Sequence, residues 1–247
     1  AALMTAMWAL QRRTGDAGIV DVAWAAGVGM LSAWFAYGAS GLPARRWLVA
    51  ALALAWAARL AGYLLVRVVR MPEDGRYRAM REQWGENTER NLFLFFQVQA
   101  TWSVLFAAPM LVAAFNPRPL GAVDAAAVAL WAFALGGEAL ADRQLHRFRS
   151  QPANKGKVCR DGLWRYSRHP NYFFEWLHWW AYVLLAWGAS AGWTALLGPA
   201  AMLYFLLKIT GVPPTEAHAL RSRGEAYREY QRTTSVFFPW PPKESAV

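Results

Sequence analysis

Seven apolar windows, at roughly residues 1–10, 17–39, 46–66, 92–115, 119–141, 172–190 and 192–210, divide the chain, and each but the first is long enough to cross a bilayer core of about 30 Å. The expected fold class is therefore all-α, a polytopic membrane protein with seven transmembrane helices in one domain over residues 1–247. Composition agrees, with 56% hydrophobic residues and 15 Trp. The loops after spans one, three, five and seven hold nearly all the Lys and Arg, which sets them and the C-terminus on the cytoplasmic side and the N-terminus outside. This asymmetry accounts for the net charge of +10 without a nucleic-acid partner. The expected surroundings are membrane lipids, in a bacterial inner membrane, and the expected state is a monomer. The chain opens Ala-Ala-Leu-Met, so its beginning is expected to be trimmed; a signal peptide is the rival reading, but no small-residue cleavage site follows. A single cysteine, Cys159, excludes an intramolecular disulfide, and no Cys/His spacing suggests a metal.

The densest polar chemistry lies in Gly162-Leu-Trp-Arg-Tyr-Ser-Arg-His-Pro-Asn-Tyr-Phe-Phe-Glu175. Pro170 fixes its own φ and biases His169 to an extended conformation, so a helix is predicted to begin at Pro170 with free N–H groups facing Arg168 and His169. Within it Asn171, Glu175, His178 and Tyr182 share one face of an otherwise apolar segment, and such a stripe needs partners. Asp21 in span two lies about a turn inside the cytoplasmic boundary; Gly27 and Gly29 then permit close approach of another helix or a flat ligand. Span three ends in Trp56, Arg59, Tyr63, Arg67 and Arg70 on one ridge, a pattern that suits phosphates; lipid-headgroup snorkelling is the alternative, mainly for Arg70. The loop from Met71 to Arg90 reads as solvated surface with an amphipathic turn at Tyr77 to Trp84, and Asn116-Pro-Arg-Pro119 as an external turn among scaffold helices. Span five ends in Glu138, Asp142, His146 and Arg149 on one face, which serves a ribose hydroxyl or an internal salt bridge. Pro213-Pro214 is expected to end the last span, and the tail beyond it, with His218, Tyr227 and Phe237-Phe-Pro-Trp240, reads as a lid over a cytoplasmic mouth. Together the cytoplasmic ends offer arginines, carboxylates and stacking aromatics suited to a phosphorylated dinucleotide; Asp21, Trp24, Trp56 and Glu175 would line a deeper place for a hydrophobic co-substrate from the lipid.

The 162–175 stretch, together with Gly224-Glu-Ala-Tyr-Arg-Glu-Tyr-Gln-Arg-Thr-Thr-Ser-Val-Phe-Phe-Pro-Trp240 and Asp21-Val-Ala-Trp24, resembles the steroid 5α-reductase family, most closely its bacterial members, over nearly the whole chain. The Arg-His-Pro-Asn-Tyr core also resembles sterol C14- and Δ7-reductases and isoprenylcysteine carboxyl methyltransferases. The resemblance implies a seven-helix enzyme that takes NADPH from the cytosol and reduces the C4–C5 double bond of a 3-keto-Δ4 steroid or similar lipid enone. Asn171 and Glu175 match the family's cofactor-contacting Asn and Glu, and Arg59, Arg67, Arg70, Asp142 and Arg149 fall at further cofactor positions. Lys157, His218 and Tyr227 are looser matches; Arg168, His169 and Tyr172 are added as cofactor contacts from the same stretch. Hydride addition to an enone leaves an enolate, so an acidic group must polarise the carbonyl. A desolvated, protonated Asp21 is the candidate, with Glu175 and Trp56 beside it, because the animal enzymes' Gln–Glu pair and following Tyr are replaced here by Asp21 and Trp56. The alternative is S-adenosylmethionine-dependent methyl transfer, although Pro214-Thr-Glu216 stands where those enzymes carry a Glu-Glu pair. A sterol-binding scaffold without chemistry is the non-enzymatic reading.

Overall fold

A computed structural model describes residues 1–243, which contain ten α-helices and no strand. They are α1 (Ala2–Thr14), α2 (Ile19–Gly38), α3 (Pro43–Arg70), α4 (Gly75–Trp84), α5 (Thr88–Ala114), α6 (Ala122–Ser150), α7 (Pro170–Leu185), α8 (Leu197–Tyr204), α9 (Val212–Arg223) and α10 (Glu225–Thr233). Five segments are long and apolar enough to cross a membrane: Ile19–Gly38, Pro43–Arg70, Gly75–Ala114, Ala122–Ser150 and Gly192–Arg223. These mark an integral membrane protein. Helices stand at the two other expected places, but α1 has 13 residues and α7 has 16, about 20 and 24 Å at 1.5 Å per residue.

The chain forms two compact units, one of residues 1–123 and 182–198, the other of residues 124–181 and the chain from 199 onward. In the first, α2 is the central element, packed on both α3 and α5. Its glycines explain why: a Cβ on Gly29 would overlap the Cβ of Ala57 on α3, and one on Gly27 would stand 3.3 Å from Ser103 Oγ on α5. Close backbone approach of this kind is how helices pack where lipid removes the hydrophobic drive between them. At one end of these helices Val20, Ala23, Tyr77, Leu92 and Phe96 form one buried cluster. At the far ends Arg45 is buried and its guanidinium donates to the carbonyls of Leu185 (2.7 Å) and Arg118 (3.1 Å), while Asn116 Nδ2 donates to Leu185 at 2.9 Å. The turn at Asn116-Pro-Arg-Pro119 is thus the scaffold expected of it.

In the second unit the ring of Phe174 on α7 lies where a side chain at Gly137 on α6 would be. Trp164 Nε1 donates to Ala141 O at 3.0 Å, which ties the loop before α7 to α6. Pro213-Pro214 corrects the expected boundary. The preceding helix ends earlier, through a π turn at Phe205–Ile209, and the prolines open α9, where their missing N–H groups cost nothing.

Candidate functional site

In the second unit, α7 begins at Pro170 as expected. Asn171 Oδ1 accepts from the Tyr172 backbone N–H at 3.1 Å, and its Nδ2 donates to Asp142 Oδ1 on α6 at 3.2 Å. One turn on, buried Glu175 accepts from Trp179 Nε1 at 3.3 Å, with His178 Nδ1 3.7 Å from the same oxygen. Asn171 and Asp142 therefore join α7 to α6, and Glu175 follows one turn along α7.

The loop before α7 carries a second cluster, centred on Glu216, which the sequence reading named only in Pro214-Thr-Glu216 and gave no place among the site residues. Glu216 on α9 accepts from Arg168 Nε (2.7 Å) and Gln231 Nε2 (2.7 Å), lies 3.2 Å from His169 Nε2, and takes a longer bond from Tyr227 OH at 3.4 Å. Arg168 Nη1 spends its remaining donors on the carbonyls of Gln231 (3.0 Å) and Thr234 (2.6 Å), and Ser167 Oγ donates to Phe237 O at 2.8 Å. Tyr230 donates to the carbonyls of Trp164 and Ser167. Arg168 and Tyr227, expected at a cofactor, thus spend their polar atoms on holding the tail. The tail read as a lid is fastened from Glu216 to Phe237, because a partly buried guanidinium and carboxylate each need several partners at once. Burial pushes the His169 imidazolium below its ordinary 6.5 and outweighs the pull of Glu216. Burial likewise pushes the Tyr227 and Tyr230 phenols up, so both stay protonated. The ring of His169 stacks on Tyr172, 5.1 Å between centroids and 4° between planes. Lys157, His218 and Arg149 are exposed. Cys159 is buried and its thiol raised by burial, which makes it inert.

In the first unit Asp21 is an acceptor: Tyr77 OH donates to Oδ1 at 2.8 Å and Arg76 Nη2 to Oδ2 at 3.0 Å. Both carboxyl oxygens of Asp21 thus accept bonds, one of them from a guanidinium 55 residues away on α4. Arg76 also reaches Asp74 at 3.3 Å, and Asp74 pairs with Arg67 and caps α4 by accepting from the Arg76 backbone N–H at 2.9 Å. Burial pushes the Asp74 carboxyl up, but Arg76, Arg67 and that backbone bond overcome it and hold it at about 2. The segment from Met71 to Arg90, read as solvated surface, therefore contains a buried tyrosine and supplies Asp74 and Arg76 to an alternating chain of charges, Arg67, Asp74, Arg76, Asp21. A proline and a capping aspartate two residues apart, followed by Arg and Tyr, were the available signal.

The ridge of α3 is present as expected. Arg59 is half-buried, Arg67 is engaged by Asp74, and Arg70 is exposed with no acidic partner among the described residues. Trp56 is fully buried and meets Trp24 edge-on at 6.1 Å, and Trp24 meets Phe106 at 5.4 Å. Trp24 Nε1 is a buried donor with no acceptor among the described residues. No group of three or more His, Cys, Asp and Glu able to hold a metal occurs among them. No curated protein and no solved structure matches the chain. Residues 7–234 match the family described as "Protein of unknown function (DUF1295)", and the chain belongs to that family.

Proposed function

We propose that this protein is an NADPH-dependent reductase of the steroid 5α-reductase type, acting on the double bond of a lipid enone such as a 3-keto-Δ4 steroid. It would span the membrane seven times, with the N-terminus outside and the cofactor on the cytoplasmic side. The observation that carries the reading is the start of α7, where Asn171 is held by Asp142 and followed one turn later by buried Glu175, the pattern that the resemblance ties to a nicotinamide cofactor. Each unit offers donors of the kind a phosphorylated dinucleotide needs: on α3, Arg70 has no acidic partner among the described residues and Arg67 has a guanidinium that a phosphate can share with Asp74; on α7, Asn171 supplies amide hydrogen bonding. NADPH, when bound, supplies the hydride; the reduction adds that hydride at the β-carbon and a proton at the α-carbon.

Negative charge develops on the carbonyl oxygen during this addition, and donors aimed at it in a dry site lower the barrier. Tyr77 is the candidate for that donor, provided its one hydroxyl hydrogen turns from Asp21 to the carbonyl when substrate binds. Trp24 Nε1, three residues along α2 from Asp21, is a second donor in want of an acceptor. Trp56 supports the Trp24 ring from its edge. S-adenosylmethionine-dependent methyl transfer remains the second reading, favoured by one observation: Glu216 lies against the Arg168-His169 pair. Equilibrium binding decides between them. NADPH binding that weakens in both Asn171→Ala and Asp142→Asn supports the reductase; NADPH binding unchanged in both variants rejects it.

A further inference from the structure

The bonds around His169 define which of its ring nitrogens holds the proton. Glu216 already accepts from Arg168 Nε and Gln231 Nε2, two groups that can only donate, so it is an unprotonated acceptor. His169 Nε2, 3.2 Å from the same carboxylate, must then be the N–H. The ring is buried, with 3% of its surface exposed, and its plane is fixed by the stack on Tyr172, whose own hydroxyl is hydrogen-bonded to Thr215 Oγ1 at 3.1 Å. Burial keeps the imidazole neutral. A neutral ring with its proton on Nε2 has a lone pair on Nδ1, and no described residue donates to that atom. This acceptor stands one residue before α7 and two before Asn171.

We infer that Glu216 is a positioning residue: it locks His169 in the Nε2–H tautomer, so that Nδ1 accepts a hydrogen bond from an O–H or N–H donor of the bound dinucleotide. The recognition of a dinucleotide rests on the reductase reading; the tautomer does not. Because three elements meet on one carboxylate, the same residue also couples the fastening of the tail to the order of the α7 start. Its partners lie 15 residues away on α10 and 47 to 48 residues back, which is why a lone Glu after two prolines carries no signal in the sequence.

The test uses full-length protein in detergent, labelled with 15N in the histidine rings. There are four histidines, and loss of one signal set in His169→Gln assigns the ring. The expected wild-type result at neutral pH is one protonated nitrogen, Nε2, and one unprotonated, Nδ1. Glu216→Gln is expected to give a mixture of tautomers and to raise the NADPH dissociation constant about tenfold, the loss of roughly one hydrogen bond. His169→Gln, which keeps a donor toward Glu216 and deletes the Nδ1 acceptor, is expected to do the same while the tail stays fastened. Glu225→Gln, a tail carboxylate outside the cluster that pairs with Arg228 and Arg232, controls for loss of negative charge. A wild-type His169 protonated on Nδ1, or on both nitrogens, overturns the inference, and so does unchanged NADPH affinity in both Glu216→Gln and His169→Gln. If wild-type protein binds no NADPH while the Nε2–H pattern is present and is lost in Glu216→Gln, the reductase reading fails and the lock stands.

Discussion

Tyr77→Phe separates structure from chemistry at one atom. The side chain is buried, 2% exposed, and its hydroxyl donates to the Asp21 carboxylate at 2.8 Å. Hydrogen bonds to charged groups contribute about 1.5–3 kcal/mol. Asp21 keeps Arg76 at 3.0 Å, so no carboxylate is orphaned and the cost should fall at the lower end, about 1.5 kcal/mol. For a chain of this size that is a fall in melting temperature of roughly 3–6 °C. Phe fills the same space, so the buried cluster of Val20, Ala23, Leu92 and Phe96 should keep its packing. If that hydrogen turns from Asp21 to the carbonyl of the bound enone, its removal should cost about a hundred- to a thousandfold in turnover, roughly 3–4 kcal/mol of barrier. The two magnitudes differ enough to be told apart. The assay is single-turnover oxidation of NADPH by detergent-purified protein with a steroid enone, beside a thermal melt of the same sample. A small loss of stability with a large loss of rate is the expected result. A rate within about threefold of wild type would refute the assignment of Tyr77 as donor and would move attention to Trp24 Nε1.

Other perturbations act on single contacts. Asp74→Asn keeps a helix cap but removes the charge between Arg67 and Arg76; it should cost about 2 kcal/mol at neutral pH, from a carboxyl held at about 2 against an ordinary 3.8. Because that value is depressed, the stabilisation is present above about pH 4 and is lost as pH falls towards 2, so acid titration of the melt should show this step in wild type and not in the variant. Gly29→Ala should destabilise by roughly 1–3 kcal/mol despite the better helix propensity of Ala, because the new Cβ meets that of Ala57 and neither can move aside; an unchanged melt would show that α2 and α3 have room to part. Glu175→Gln should lower turnover while the melt stays within a few degrees of wild type, and Arg70→Ala should raise the NADPH requirement far more than that for the enone.

The sequence made the strongest local constraints readable. Pro170 could open a helix and could not sit inside one, and α7 begins there. Gly27 and Gly29 could signal only close packing, and α5 and α3 supply it. The arginines of α3 could be placed on one ridge by counting. What escaped depends on partners distant in sequence. Asp21 in isolation is a carboxylate in an apolar helix with no visible partner; its partners Arg76 and Tyr77 arrive from a segment whose charges hide its one buried aromatic. Glu216 escaped for the same reason, since its ligands come from the α7 loop and from α10. The shortness of α7 was also hidden, because hydropathy continues through residues 186–190 where the backbone turns at Gly188.

The most direct test of the central claim is incubation of the detergent-purified protein with NADPH and progesterone or testosterone, with the product identified by mass spectrometry. The expected result is a product heavier by two hydrogens, one mole of NADPH consumed per mole formed, and loss of both in Glu175→Gln. Absence of NADPH binding, with S-adenosylmethionine protecting the protein against heat, would contradict the reductase account and leave methyl transfer in its place.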